Sequence, residues 1–310
     1  MTRQYAYHLV DVFTNRRFGG NQLAVFTDAR GLSDEEMQQI AKEMNLSESS
    51  FILPSEDKQN DFRLRIFTPG AELPMAGHPT VGTAYVMAYE EMIDVSQDTL
   101  IVRFEEGVGP IPVRLEFPPG ESGQHPRLPT KIMMQQHLPE FGPVFEDRAA
   151  IAEMLSISPD NIEESLPLEV VSCGVPFLYV PLRSLTAVHN VKLRLDLWEK
   201  LLADYIAREV FVFSRSTVTD DATVHSRMFA PNLGIMEDPA TGAASGPLGC
   251  YLVTHGLVSA EQGENIISEQ GFEIGRPSFI TISIQQEAGQ ISAVHVGGQC
   301  VHVGQGTIEL

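Results

Sequence analysis

The 310-residue chain is 43% hydrophobic and 20% charged, enough apolar material for two cored domains and no bias toward disorder. Its 41 acids against 21 bases give a formal net charge of −20 with no Lys/Arg cluster, so neither a nucleic-acid backbone nor an anionic membrane is an expected partner. Cys173, Cys250 and Cys300 are odd in number and form no C-x-x-C pair, which argues against a disulfide framework or a zinc ribbon and for buried thiols.

At the N-terminus MTRQYAYHLVDVF has no signal-peptide apolar core, and no later apolar run reaches membrane-spanning length, so the cytoplasm is the expected compartment. Ser33 followed by Glu36 reads as a capping box. Met37, Ile40, Ala41 and Met44 then recur at i, i+3, i+4 and i+7, predicting a helix that ends near Asn45. LSESSFILP turns into a strand with Glu48 at the junction, and Phe62, Leu64 and Ile66 alternate as in a strand with one buried face. Val81, Ala84, Tyr85 and Ala88 predict a second helix stripe, with Pro79 and Thr80 in its first turn. Eight of the twenty prolines, with Gly120 and Gly123, fall between Pro110 and Pro143, where the domain boundary is expected.

The second half replays the order of the first. VVSCGVPFLYVPL answers VFTNRRFGGNQLAVF as strand, Gly turn and strand; Trp198, Leu201, Leu202 and Tyr205 predict a helix; EVFVFS and TVHSRMF predict strands. Ser278–Leu310 reads as strand throughout. Strands outnumber helices and short turns join them, which predicts an α+β fold: in each half a curled, mixed but mainly antiparallel sheet around a helix. The first domain is expected over 1–118 with a C-terminal strand at about 298–310, the second over 119–297.

Chemistry is expected at two matching turns. RIFTPGAELPMAGHPTVGTAYV and RMFAPNLGIMEDPATGAASGPLGCYLV share Arg65, Phe67 and Pro69 with Arg227, Phe229 and Pro231 at one offset, which carried forward sets Ala76 opposite Asp238. In each, a Gly/Pro/Thr turn opens a helix whose free amides and dipole attract an anion. Gly77 and Pro79 at the first turn, and Thr241, Gly242 and Ala243 at the second, are the candidate substrate-binding residues for a small carboxylated metabolite. Arg65 and Arg227 are expected to pair with carboxylates or reach solvent rather than serve the site. Glu48, His78 and Asp238 supply three titratable groups with no G-x-G-x-x-G or P-loop nearby, so no nucleotide cofactor is expected. His295 and His302 flank Cys300 in strand sequence and are expected to be structural, not metal ligands.

The ordered segments VDVFTNRRFGGNQLAVF, NLSES, RIFTPGAELPMAGHPTVG and MEDPATGAASGPLG together resemble the PhzF (phenazine biosynthesis-like) family, related in fold to diaminopimelate epimerase, across nearly the whole chain. The resemblance implies two similar domains with an active site in the cleft between them. It implies cofactor-independent isomerisation by proton shuttling, with Glu48 as acid/base and His78 and Asp238 as partners, and a homodimer is a reasonable expectation for such a family. Related epimerases and racemases use two cysteines at the paired turns; with Ala76 and Asp238 there, two-thiol racemisation is excluded. Family members of the phenazine pathway usually place a serine after the DPATG glycine, where this chain has Ala243, which puts the dihydro-hydroxyanthranilate substrate in question. Two alternatives stand beside the isomerase: an epimerase or racemase on an amino-acid-like substrate, and a small-carboxylate binding protein without turnover.

Overall fold

A computed structural model describes residues 2–119 and 127–310. Gly120, Gly123 and Pro126 of the proline-rich stretch lie outside the described residues. The chain forms two compact units, Met1–Gln135 with Gly297–Leu310, and Gln136–Val296.

In the first unit, β1 (Gln4–Val12), β2 (Asn21–Phe26), α1 (Asp34–Met44), β3 (Glu48–Pro54), β4 (Phe62–Phe67), β5 (Glu72–Leu73), α2 (Gly77–Tyr89), β6 (Thr99–Glu106), β7 (Gly109–Glu116) and β8 (Lys131–Gln136) follow in order. The second unit carries β9 (Glu140–Val144), α3 (Arg148–Met154), β10 (Glu169–Ser172), β11 (Pro176–Pro181), α4 (Leu185–His189), α5 (Leu195–Leu202), β12 (Glu209–Ser214), β13 (Val224–Ala230), β14 (Ile235–Asp238), α6 (Gly242–Thr254), α7 (Ala260–Gly263), β15 (Ile266–Gln270), β16 (Ser278–Glu287) and β17 (Gln290–Gly298). The last strand, β18 (Cys300–Glu309), returns to the first unit. That unit runs past the proline-rich stretch because β8 pairs antiparallel with β7, Val113 opposite Met134.

Local sequence dictates the first elements. Ser33 and Glu36 form the reciprocal capping box of α1, and Asn45 closes the helix in the left-handed region at φ 50°, a conformation asparagine tolerates better than most side chains. Met37, Ile40 and Ala41 face the core, where Phe26 stacks on Phe51 at 4.8 Å and Phe67 meets Phe51 edge-on.

The two units repeat one connectivity. β1–β2, β3–β4 and β6–β7 are antiparallel, while β2–β3 and β4–β6 are parallel because a helical crossover joins each pair. β10–β11, β12–β13 and β15–β16 are antiparallel, and β11–β12 and β13–β15 parallel, in the same succession. The short β5 and β14 lie on β4 and β13. Helix α2 touches β1, β2, β3, β7 and β18, strands from both ends of its sheet, so that sheet curls around the helix. Helix α6 packs on β10, β11 and β16 in the same way.

Two predicted elements differ. α2 carries no stripe: every residue from Gly77 to Ala88 is buried, because strands surround it. α5 stops at Leu202, so Tyr205 lies beyond its end and packs its ring edge-on against Phe145.

The closeness of sheet to helix shows at Gly82, where an added methyl would stand 2.6 Å from Leu23 Cδ2 and 2.7 Å from Val12 Cγ2. Helix propensity favours Ala over Gly by about 1 kcal/mol, whereas overpacking a tight core costs about 1–3 kcal/mol. Gly82→Ala is therefore expected to lower the urea midpoint of unfolding; a raised midpoint would contradict this packing.

Candidate active site

Glu48 is the first residue of β3 and sits beside Leu23 in the parallel β2–β3 ladder. His78 is the second residue of α2, the helix that β2 and β3 help enclose. The two side chains meet: His78 Nε2 is 3.3 Å from Glu48 Oε2, with only 4% and 11% of the side chains exposed. Burial pushes His78 down to about 3, outweighing the opposing effect of a hydrogen bond at the Gln22 backbone. The ring is therefore neutral at physiological pH.

At the start of α2, Ala76 is the N-cap and offers no side-chain cap, Gly77 and His78 open the helix, and Pro79 brings no N–H. Thr80 Oγ1 lies 2.7 Å from the Ala76 carbonyl and 2.6 Å from Glu106 Oε1.

In the second unit, Asp238 ends β14 and is buried. Thr241 Oγ1 donates to Asp238 Oδ2 at 2.6 Å, and Gln270 Nε2 donates to Thr241 Oγ1 at 3.0 Å and to the Asp238 carbonyl at 2.7 Å. Since Gln270 occupies an acceptor site on Thr241 Oγ1, the hydroxyl hydrogen is directed at Asp238. Thr241 is the N-cap of α6, and Gly242 and Ala243 form its first turn. Ser245 does not replace a hydroxyl at Ala243, because its Oγ donates to the Thr241 carbonyl at 2.8 Å and is fully buried.

The turn arginines are structural. Arg65 pairs in bidentate fashion with Glu72 at 2.7 Å and lies 5.1 Å over the Phe67 ring; Arg227 pairs likewise with Glu237 at 2.8 and 2.7 Å and lies 5.1 Å over Phe229. These partners correct the register of the repeat. Arg65 reaches Glu72 and Arg227 reaches Glu237, so the second turn is three residues longer, the length of the helical turn Pro231–Leu233. Beyond it, Ala76 corresponds to Thr241, both N-caps, and Leu73 corresponds to Asp238. Ala76 is not opposite Asp238, but the exclusion of a thiol pair survives: the three cysteines are elsewhere, free and buried.

Sequence reading placed Thr80 in the first turn of its helix without giving it a partner, and passed over Gln22, Glu106, Gln270 and Glu209. The last opens β12 as Glu48 opens β3, but accepts a hydrogen bond from Asn232 at 2.8 Å. Among the described residues, His189, His225 and Glu273 bring potential metal-ligating atoms together. His225 donates to Glu269 and Glu273 at 2.8 Å each, and His189 Nδ1 is 2.5 Å from Glu273. Those spacings are tighter than the roughly 3.3 Å between donors around a tetrahedral zinc with bonds of about 2.0–2.1 Å. Burial opposes a charge on His225, but bonds to both carboxylates prevail and push it up to about 9, making it an imidazolium tie. His302, flanking Cys300, lies 3.2 Å from His8 and stacks on Tyr89. No helix among the described residues is long and apolar enough to cross a membrane.

Fold and site together define a duplicated protein of the epimerase-like architecture, mostly antiparallel sheets curled on buried helices. The chain matches the phenazine biosynthesis-like protein family (PhzC-PhzF) over residues 10–306, and it belongs to that family. It is 36% identical over 304 residues to trans-2,3-dihydro-3-hydroxyanthranilate isomerase of Pseudomonas aeruginosa, spanning 97% of this chain and 98% of that one. An uncharacterized isomerase of Clostridium acetobutylicum is 34% identical over 306 residues, with 98% and 97% covered. The crystal structure of a Bacillus anthracis PhzF-family protein superposes with a TM-score of 0.85 at 27% identity, covering 99% of both chains. A hydroxyproline epimerase from Agrobacterium vitis, at 12% identity and a TM-score of 0.68 with 99% of this chain and 93% of that chain covered, shares the fold alone. The chain is an isomerase of this family, which leaves the reading as a binder without turnover unsupported.

The depressed basicity of His78 has a measurable signature. Above the ordinary value of 6.5 the ring is neutral in folded and unfolded chains alike; as pH falls from 6.5 to about 3, only the unfolded chain gains the proton, and stability is lost. The wild type is expected to lose thermal stability relative to His78→Gln across that window. Parallel melting curves would show that His78 charges in the folded protein.

Proposed function

We propose that this isomerase moves a proton between two carbons of a small carboxylated metabolite without a cofactor, with Glu48 as the group that removes and returns it. The observation that carries the reading is the buried Glu48–His78 pair, with Oε2 and Nε2 3.3 Å apart and the ring neutral. In the step, a Glu48 oxygen takes the proton from one carbon. The C–H electron pair becomes part of a shifted double bond, and Glu48 delivers the proton to the carbon at the far end of that system. Asp238, oriented by the Thr241 hydroxyl, is the second polar group for the metabolite. In the first unit the amides of Gly77 and His78, at a turn shaped by Pro79, are donors suited to a carboxylate; in the second unit the amides of Gly242 and Ala243, beside Thr241, are donors of the same kind, and each helix dipole adds about 0.3–1 kcal/mol.

Trans-2,3-dihydro-3-hydroxyanthranilate, the compound in the name of the Pseudomonas relatives, is the first probe. Because Ala243 lacks a hydroxyl and that of Ser245 is committed, we propose that the natural substrate is a related carboxylated, unsaturated compound making no bond at that point.

Incubation in deuterated water of that probe and of carboxylated, unsaturated analogues is expected to place deuterium on carbon with migration of a double bond. Glu48→Gln should slow turnover by about 10²–10⁴-fold, and Asp238→Asn should weaken it with Glu48 intact. Undiminished turnover in Glu48→Gln overturns the assignment. Deuterium at a stereocentre without double-bond migration makes the enzyme an epimerase instead.

A further inference from the structure

We propose that Glu106 is a positioning residue of this site: a carboxylic acid that keeps its proton and uses it, through Thr80, to lock the first turn of α2, which carries His78. Thr80 Oγ1 has one hydrogen and two close oxygens, the Ala76 carbonyl at 2.7 Å and Glu106 Oε1 at 2.6 Å. The carbonyl can only accept. Were Glu106 ionised, both neighbours would be acceptors, and one contact would set bare lone pairs against each other. With the proton on Glu106, the chain closes: Glu106 donates to Thr80, and Thr80 donates to Ala76. Glu106 Oε2 is buried without a hydrogen-bond partner, a place where a carboxylate charge would go uncompensated.

Among the described residues that line the adjoining cavity, no unengaged cation offsets a negative charge. Of the groups lining the adjoining cavity of about 400 Å³, Arg63 is engaged by Glu56, Arg65 by Glu72 and Asp34, and Glu105 by Ser55 and the amides of Glu56 and Asp57. Burial pushes Glu106 up to about 8, outweighing the opposing effect of its contact with Thr80. The hairpin tip that carries Glu106 is packed closely on its neighbour: Val108 N donates to the Pro74 carbonyl at 3.2 Å, and an added methyl at Gly107 would stand 2.9 Å from Pro74 Cα.

The second half of the repeat supplies an independent sign. Arg63 pairs with Glu105 across β4–β6 as His225 pairs with Glu269 across β13–β15, so Gln270 occupies the place of Glu106. Gln270 is permanently neutral, and it donates to Thr241 at the start of α6. A protonated glutamate is the closest carboxylic equivalent of that amide.

The test needs no substrate and compares wild type with Glu106→Gln, Thr80→Ser and Thr80→Val. Folded Glu106 holds its proton to about 8, whereas unfolded it releases it near 4.5, so wild-type stability is lost as pH rises through that window. The thermal midpoint of Glu106→Gln is expected to gain about 5 °C on the wild type between those pH values. The ¹⁵N signals of the His78 ring, assigned with His78→Gln, should stay in place in Glu106→Gln and Thr80→Ser and move in Thr80→Val. Should Thr80→Val not fold, Glu106→Met, which fills the space without a hydrogen to donate, is read in the same way. Parallel melting of Glu106→Gln and wild type, or unmoved His78 signals in the variant that breaks the chain, overturns the inference. It rests on the proposed function only in calling His78 part of the site: if both signatures hold while Glu48→Gln retains full turnover, the functional reading alone falls.

Discussion

A helix whose first turn is enclosed by its own sheet has nowhere to hydrate that turn, and the constraint governs both halves of this molecule. α2 is buried from Gly77 to Ala88 and α6 through most of its length, so polar groups at their first turns must be satisfied by protein or by a ligand. Both helices answer alike. Thr80 bonds back to the Ala76 carbonyl, and Ser245 to the Thr241 carbonyl, four residues earlier in each case. Where the sheet presses hardest the helices carry glycine: a methyl on Gly249 would stand 2.6 Å from Ile282, as one on Gly82 would clash with Leu23. The same enclosure makes His78 a neutral ring.

Duplication kept the scaffold and let the polar groups diverge. Each half uses an arginine on an Arg-x-Phe strand to pin the short strand before the helix, through Glu72 in one and Glu237 in the other. Each opens the strand after its first crossover with a glutamate. Glu48 faces His78, while Glu209 is bound by Asn232. Where the first helix has His78 the second has Ala243, and where the first half has Leu73 the second has Asp238. The halves are alike in backbone and unlike in chemistry.

Much of this was legible in the sequence, for local reasons. The capping box at Ser33 and Glu36, the alternation through Phe62–Phe67 and the recurrence of Arg-x-Phe depend on residues close in the chain. The register beyond the second turn was lost because a constant offset assumes equal turns. The matched triplets Glu72-Leu73-Pro74 and Glu237-Asp238-Pro239 carried the correction. The helix stripe was misjudged since VGTAYVMAY is apolar on all sides, the mark of an enclosed helix. Glu106 was missed for a different reason: Glu-Glu-Gly at a hairpin tip reads as a solvated turn, whereas the alternation Val102, Phe104, Glu106 carries the buried face of β6 to its last residue and leaves Glu105 half-buried.

The basicity of His78 limits what it can do within the proposed reaction. A backbone bond at Gln22 that raises the ring's basicity is one in which the ring donates, which leaves the Nε2 lone pair toward Glu48. That lone pair can accept a hydrogen bond from Glu48 once the carboxylate has taken a proton. Burial holds the ring far below its ordinary basicity, so it competes poorly for the proton, and in the proposed reaction Glu48 oxygen carries it. The shuttle is then a single group, which takes a proton from one carbon and delivers one to a second carbon from the same carboxyl, with exchange against solvent in between. A more basic histidine would capture the proton and leave Glu48 ionised at the moment it must act as the acid.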